Sequence, residues 1–160
     1  DLEGAQSDYT AVLTLSPISG HQRAWALNNR AFIHRRNANL EGEKADTEAA
    51  LAVTDAPTEQ RGWALGNRGW LHLQAQEVES AAEVFRAAAE LETGNPVHHF
   101  NLGMVMLIQG AGGIATTEFE TALRLGPTAE QIDDVVRDLG FVQKAYGPLE
   151  GIEYLRGQLR

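Results

Sequence analysis

A glycine cluster is the part of this sequence whose residue types and spacing come nearest to a site for chemistry. Gly110, Gly112 and Ala115 have the Gly-x-Gly-x-x-Ala spacing of a dinucleotide-binding loop. Asp133 and Asp134 follow about 20 residues further on, where an acid would bind the ribose of the nucleotide. Such a loop needs a strand before its glycines and a helix after them. The cluster therefore predicts a nucleotide site if a strand precedes it, and a turn between helices if a helix does.

The histidines form no recognisable catalytic or metal-binding set. His98 and His99 are adjacent, so their side chains cannot share one helix face as two metal ligands would. His34 and His72 are interpreted as hydrogen-bonded packing histidines. The sequence contains no nucleophile–base–acid set, no P-loop, no metalloprotease motif and no cysteine. We therefore predict no catalytic residue, no metal and no cofactor, and we expect the protein not to be an enzyme.

Composition limits the class of protein and of partner. The chain has 160 residues, of which 43% are hydrophobic, which is enough for a domain with a real core. Its net charge of −9 argues against nucleic-acid binding and, taken as a bulk figure, favours a basic or neutral partner. No apolar run approaches the roughly 18 residues of a membrane span, so no membrane is expected. The sequence does not fix the compartment, with a slight preference for the cytoplasm.

An internal repeat shows which elements must position these residues. Residues 1–40 align without a gap on residues 39–78. Trp25 and its two successors match Trp63 and its two successors, and Asn29-Arg30 matches Asn67-Arg68. Each unit holds two stretches with helical spacing that are rich in Ala, Leu, Glu and Arg. Prolines, which break helices, occur at or near the ends of these pairs: Pro17, Pro57, Pro96, Pro127 and Pro148.

The segment 95–127 resembles a unit of the tetratricopeptide family, a helix–turn–helix hairpin of about 34 residues. The matching residues are Asn101-Leu102-Gly103, Gly110, Ala115, Phe119, Ala122-Leu123 and Pro127. The unit before it has Asn67, Gly69, Ala81, Phe85 and Ala88 in the same columns. The unit before that departs from the pattern, because Glu43 and Thr47 stand where the family has a small residue and an aromatic one.

The resemblance implies an all-α fold, a right-handed α-α superhelix of about nine helices in one solenoid domain over 1–160. The expected divisions are the second helix of a truncated unit at 1–20, units at 21–57, 58–94 and 95–128, and a degenerate capping unit at 129–160. Because the first unit lacks its first helix, we expect the chain to be a fragment of a longer protein. In this reading Gly110 is the turn of a hairpin and no nucleotide site exists.

Two columns are expected to hold the stack of hairpins together. Small residues at Ala31, Gly69, Gly103 and Gly140 should let neighbouring helices approach closely. Aromatic residues should fill the spaces between layers, namely Tyr9, Phe85 and Phe119.

A further comparison of columns shows acids paired with arginines in successive units. It predicts inter-repeat salt bridges Asp8–Arg30 and Asp46–Arg68, replaced by an apolar contact between Val84 and Leu102.

The family binds ligands on the concave surface formed by the first helix of each hairpin, and the resemblance carries that surface to this chain. Trp25 and Phe32 are seven residues apart, as are Trp63 and Trp70, so each pair lies on one helix face. The expected ligand-binding residues are Trp25, Asn28, Phe32, Arg35, Arg36, Trp63, Trp70, Leu73, Phe100, Met104, Arg137 and Phe141.

We therefore predict a non-enzymatic module that binds a protein or peptide segment on this aromatic face, with basic groups toward its two ends. Aromatic residues and arginine are the usual anchors of protein interfaces. The oligomeric state is uncertain, with a monomer favoured. One alternative is a structural or regulatory module of a larger enzyme that acts by intramolecular docking or self-association. The other is a nucleotide-dependent enzyme built on Gly110–Ala115.

Overall fold

The computed structural model of the protein describes residues 2–159, which form nine α-helices and no strand. The helices are α1 (Leu2–Thr14), α2 (Gly20–Arg36), α3 (Leu40–Leu51), α4 (Thr58–Gln74), α5 (Val78–Leu91), α6 (Pro96–Ile108), α7 (Gly112–Arg124), α8 (Ala129–Tyr146) and α9 (Ile152–Gln158). This confirms the all-α helical repeat fold. None of the helices within 2–159 combines the length and apolar character that a bilayer span requires.

The chain divides into two compact units, Asp1–Glu77 and Val78–Arg160. In the first unit, α1 and α3 both pack against α2, and α4 packs against α2 and α3. In the second unit, α6 packs against α5, α7 and α8. Each unit therefore has one helix, α2 or α6, that contacts three others.

The glycine cluster lies in a turn between two helices, which confirms the turn interpretation. Helix α6 ends at Ile108, Gly110 has a φ of +74°, and α7 begins at Gly112. The Ala111 N–H donates to the Met106 carbonyl at 2.9 Å and the Gly110 N–H to the Leu107 carbonyl at 3.0 Å. This pair of hydrogen bonds is the Schellman motif, which ends a helix when the residue after its C-cap has a left-handed conformation. A strand, which a dinucleotide loop needs, does not precede the glycines.

The same turn occurs two more times, without glycine. Ala38 and Gln76 have φ values of +54° and +63°. The N–H groups of Asn39 and Glu77 donate to carbonyls five residues back, as Ala111 does, each at 2.9 Å. The three left-handed residues are separated by the spacings of the sequence repeat. The repeat is thus present in the backbone hydrogen bonds as well as in the side chains.

Several helices begin at side chains that cap their free N–H groups. Ser19 and Gln22 exchange hydrogen bonds at the start of α2, and Thr128 and Gln131 do the same at the start of α8. Asn95 caps α6, whose first residue is Pro96, where a missing N–H has no cost. These starts follow prolines and short polar segments, so the hairpin boundaries are encoded locally.

In the second unit the predicted aromatic residues are buried, whereas only one of the two predicted small residues is in close contact with a neighbouring helix. Phe85 and Phe119 are buried, and the Phe100 and Phe119 rings meet edge to face with centroids 5.3 Å apart. A Cβ on Gly103 would lie 2.5 Å from Phe119 Cδ2, so this glycine does permit close packing. Gly140 differs from the expectation, because a Cβ there would meet no atom within 4 Å. In the first unit, Tyr9 also differs from the expectation, because it is half-buried and packs on Trp25.

Candidate functional site

Helices α2 and α4 lie side by side in the first unit and are joined by buried amides. The Asn28 side chain donates to the Gln60 carbonyl at 2.8 Å, and the Asn67 side chain donates to the Asn28 carbonyl at 3.2 Å. Nearer their C-termini, Arg35 on α2 lies over Trp70 on α4. Because the contacts advance in the same direction along both helices, α2 and α4 run parallel. We give the name α2–α4 face to six side chains of these two helices: Trp25, Phe32, Arg35, Arg36, Trp63 and Trp70.

An aromatic stripe follows α2 along this face. Trp25 and Phe32 are about two turns apart, so their side chains share one side of the helix. The Trp25 side chain is 41% exposed and meets the Tyr9 ring of α1 edge to face, with centroids 5.0 Å apart. Phe32 is half-buried, as is Trp63 on α4. The stripe therefore presents large apolar groups to solvent beside a supporting ring.

Two arginines continue the stripe at the C-terminal end of α2. The Arg35 guanidinium lies 4.3 Å from the centroid of the Trp70 ring and 5.3 Å from that of Phe32. The Arg36 guanidinium lies 5.5 Å from the centroid of Phe32 on α2. Cations over aromatic faces are attracted by the ring quadrupole, which holds them in place. The result is a cluster of alternating guanidinium groups and rings that joins α2 to α4.

A buried carboxylate lies beneath this cluster. Glu43 on α3 is 1% exposed, and its Oε2 accepts a hydrogen bond from Gln74 Nε2 at 2.8 Å. Gln74 in turn reaches the Trp70 carbonyl at 3.4 Å. Burial raises the pKa of Glu43 above its ordinary value, and the Gln74 hydrogen bond and the charge of Arg35 oppose that rise. Glu43 thus stands where its unit departs from the repeat pattern, and it lies beneath the arginine cluster.

The expected ligand-binding residues divide into exposed and buried groups. Trp25, Phe32, Arg35, Arg36 and Trp63 retain surface on the α2–α4 face. Five others differ from the expectation of an open face, because they pack in the interior with exposures of 5% or less: Asn28, Trp70, Leu73, Phe100 and Met104. The spacing of residues along a repeat helix shows which of them share a face. It does not show whether a residue is open to a groove or covered by the neighbouring helix. Trp70 still contributes to the face as the ring beneath Arg35.

The two remaining expected residues are exposed on α8 of the second unit. Phe141 is 40% exposed, and the Arg137 guanidinium pairs with Asp134 one turn earlier. The residue that sequence reasoning missed as part of the site is Glu43. The sequence did contain a sign of its role, because an acidic residue at a repeat position that normally holds a small residue must either be exposed or have a partner.

The predicted salt bridges are wrong in their pairing. Arg30 binds Asp46 rather than Asp8, with Nε and Nη2 each 2.7 Å from one carboxylate oxygen. Asp46 is buried and also lies 3.5 Å from His34, whereas Arg68 is exposed. The bidentate pair joins the two helices of one hairpin instead of two repeats. Column comparison detected the charge complementarity but could not tell a partner within the hairpin from one in the next.

Four of the histidines each lie beside a carboxylate. His34 is buried near Asp46 and Asn39, as a hydrogen-bonded packing histidine should be. His72 and His99 contact Glu77 and Glu118 at 2.6 and 2.7 Å. Within residues 2–159 no group of three or more potential ligands is arranged to hold a metal ion.

His98 is the most buried of these histidines. Its Nε2 lies 2.9 Å from Glu92 Oε2, and its side chain has no exposed surface. Burial lowers the pKa of His98 below its ordinary value, against the opposing effect of Glu92. His34, His72 and His99 therefore pair within their own hairpins, whereas His98 pairs with Glu92 of the preceding hairpin.

Comparisons with known proteins agree with this architecture. No family model matches the sequence, and no curated protein matches it in a sequence search. Thirteen chains of solved structures match the fold. Among them is the crystal structure of MamA, with a TM-score of 0.56 and 16% sequence identity over 99% of this chain and 86% of that chain. MamA is a tetratricopeptide-like protein. The chain therefore has a tetratricopeptide-like helical repeat fold.

Proposed function

We propose that this protein is a protein-interaction module that binds an extended peptide segment on the α2–α4 face. The observation that carries the proposal is the aromatic stripe of Trp25 and Phe32 on α2, together with half-buried Trp63 on α4 and the arginines that stack on rings. Tryptophan and arginine are enriched among the residues that dominate binding energy at protein interfaces, because tryptophan buries a large ring and arginine both stacks on aromatic faces and donates several hydrogen bonds. The fold supports a module of this general, non-enzymatic kind.

The length of the face sets the length of the segment. Helix α2 has 17 residues, and at about 1.5 Å per residue it is about 25 Å long. An extended chain spans that distance with about eight residues. We therefore expect a linear motif rather than a folded domain to fill the face.

The proposal is tested by selecting linear peptides on the purified protein from a display library and titrating one of them into solution. Trp25→Ala should weaken binding by about 2 kcal/mol, the usual loss at an anchor residue. Leu51→Ala is the matched control, because Leu51 is an exposed apolar residue on α3 away from the face. Circular dichroism establishes that both variants remain folded. Selection of no peptide, or equal losses in the two variants, would contradict the proposal.

A further inference from the structure

Two aromatic rings from different helices meet where the aromatic stripe of α2 begins. Tyr9 of α1 and Trp25 of α2 have ring centroids 5.0 Å apart and ring planes inclined at 77°. In such an edge-to-face pair each ring keeps a face that the other does not cover. Trp25 is 41% exposed and Tyr9 is half-buried, so part of the pair is open to solvent. We call these two rings the Tyr9–Trp25 corner.

A simpler role for this pair is to pack α1 on α2, and that role accounts for the buried part of Tyr9. It does not require an open indole. Trp70 shows what packing does to a tryptophan of the same unit, since only 3% of its surface remains exposed. The exposed part of Trp25 therefore goes beyond what the packing of the helices needs.

No cation of the chain lies over the rings of the corner. The guanidinium groups of the first unit stack on other rings, with Arg35 over Trp70 and Phe32 and Arg36 over Phe32. Within residues 2–159 the ring contact that Tyr9 and Trp25 make is with each other. Because an aromatic face carries partial negative charge, and tryptophan attracts cations most strongly, the corner is suited to a cation from a ligand.

An acidic residue adjoins the corner. Asp8 precedes Tyr9 in α1, is exposed, and takes no part in an ion pair within residues 2–159. The Cα atoms of two such neighbours are about 3.8 Å apart, well inside the screening length of about 8 Å at physiological salt. Helix α1 contains two acids and no base. The local charge on the α1 side of the corner therefore has the same sign as the net charge of −9 and attracts a cation.

The arginines of α2 do not oppose this attraction. Arg23 is two residues before Trp25, which places it about 200° around the helix. Arg30 is engaged by both carboxylate oxygens of Asp46. Arg36 shares the side of Trp25 but lies about 16 Å further along the helix axis, which is about twice the screening length. A cation at the corner is therefore not repelled by an arginine of its own helix.

We propose that the Tyr9–Trp25 corner binds a cationic side chain, lysine or arginine, of the segment that occupies the α2–α4 face. This rests on the proposed function and adds the chemistry of the ligand at one of its positions. The cation lies against the open ring faces in the field of Asp8, and the rest of the segment extends along α2 toward Phe32. The net charge of the chain, which favours a basic or neutral partner, supports the same ligand.

The test uses a peptide obtained from the selection described above. Each of its positions is occupied in turn by lysine and by norleucine, which keeps the four-carbon stem of lysine without its charge. At one position the lysine form should bind about two- to fivefold tighter, the gain from a cation over an exposed aromatic face. The titrations are made at pH 8, where imidazole groups are neutral, and circular dichroism shows whether each protein variant is folded.

Three variants locate the effect. Trp25→Leu keeps an apolar side chain without an aromatic face, so the preference for lysine should disappear whatever the overall loss of affinity. Phe32→Leu is the matched control and should keep the preference, because the chain's own arginines already lie over that ring. Asp8→Asn should reduce the preference at low salt, where its charge is least screened.

The preference is a ratio between two peptides measured on one variant, so a general loss of affinity or stability cannot imitate it. The inference would be overturned by the absence of a preference at every position, by a preference that survives Trp25→Leu or ignores Asp8→Asn, or by an equal loss in Phe32→Leu. In each of these cases the peptide-binding function would stand. Only the failure of selection itself would remove both.

Discussion

At the scale of single residues, two glycines from the same predicted column have opposite roles. A Cβ on Gly103 would lie 2.5 and 2.8 Å from two carbons of the buried Phe119 ring. Gly140 occupies the interior of α8 with no atom within 4 Å of its missing Cβ. The column alone cannot distinguish these situations, because only a neighbouring side chain makes a glycine necessary.

We expect Gly103→Ala to destabilise the protein by about 1–3 kcal/mol, since a well-packed core must shift to accept the methyl group. Gly140→Ala should stabilise it by up to about 1 kcal/mol, the helix-propensity difference between the two residues. Urea unfolding followed by circular dichroism measures both free energies. Destabilisation by both substitutions would show that the small column is needed throughout.

The buried carboxylate of Glu43 makes a pH-dependent contribution to stability. Burial raises its pKa in the folded state, so the folded protein binds the proton more tightly than the unfolded chain. Stability from this group is therefore greatest below the ordinary glutamate pKa and falls as the pH rises through the window up to the folded pKa.

Glu43→Gln should remove this fall, so the variant should gain stability relative to the natural protein as the pH rises from the ordinary glutamate pKa through the raised pKa of the folded state. Unfolding free energies measured across that range check the expectation. Glu48→Gln is the control, because Glu48 lies on the same helix with its side chain 67% exposed. A Glu43→Gln variant that loses stability at neutral pH would show instead that the carboxylate charge is required beneath Arg35.

At the scale of elements, three hairpin turns share one left-handed position, occupied by Ala38, Gln76 and Gly110. A left-handed backbone costs a residue with a Cβ about 1–2 kcal/mol relative to its usual conformations, and glycine avoids that cost. Only the third turn therefore has the residue type that its backbone favours. The first two turns form because packing of their helices outweighs the local strain.

Ala38→Gly should consequently stabilise the protein by up to about 1 kcal/mol, and Gly110→Ala should destabilise it by about 1–2 kcal/mol. The Gly110 prediction isolates backbone strain, because no atom lies within 4 Å of the site of its Cβ. Thermal unfolding of the two variants beside the natural chain gives both shifts. If both substitutions shifted the unfolding temperature in the same direction, the stability changes could not be explained by the left-handed backbone.

At the scale of the whole molecule, the proposed function predicts a monomer of 17.4 kDa in solution. A module that binds a linear segment on an open face has no need of a second copy to complete its site. Sedimentation equilibrium at several protein concentrations measures the mass. A tight dimer whose formation protects Trp25 from a fluorescence quencher would favour the alternative, in which the module acts by self-association.

The sequence by itself determined the helices, their pairing into hairpins and the turn at Gly110, because helical spacing, caps and turn residues act within a few positions of the chain. It also identified the helix side on which Trp25 and Phe32 lie. Only the tertiary structure decided that Trp70 is covered while Trp25 is open, that Arg30 binds Asp46, and that Glu43 lies beneath Arg35. Burial and ion pairing depend on side chains from helices distant in sequence, and a periodic pattern states which residues face inward without stating what they meet.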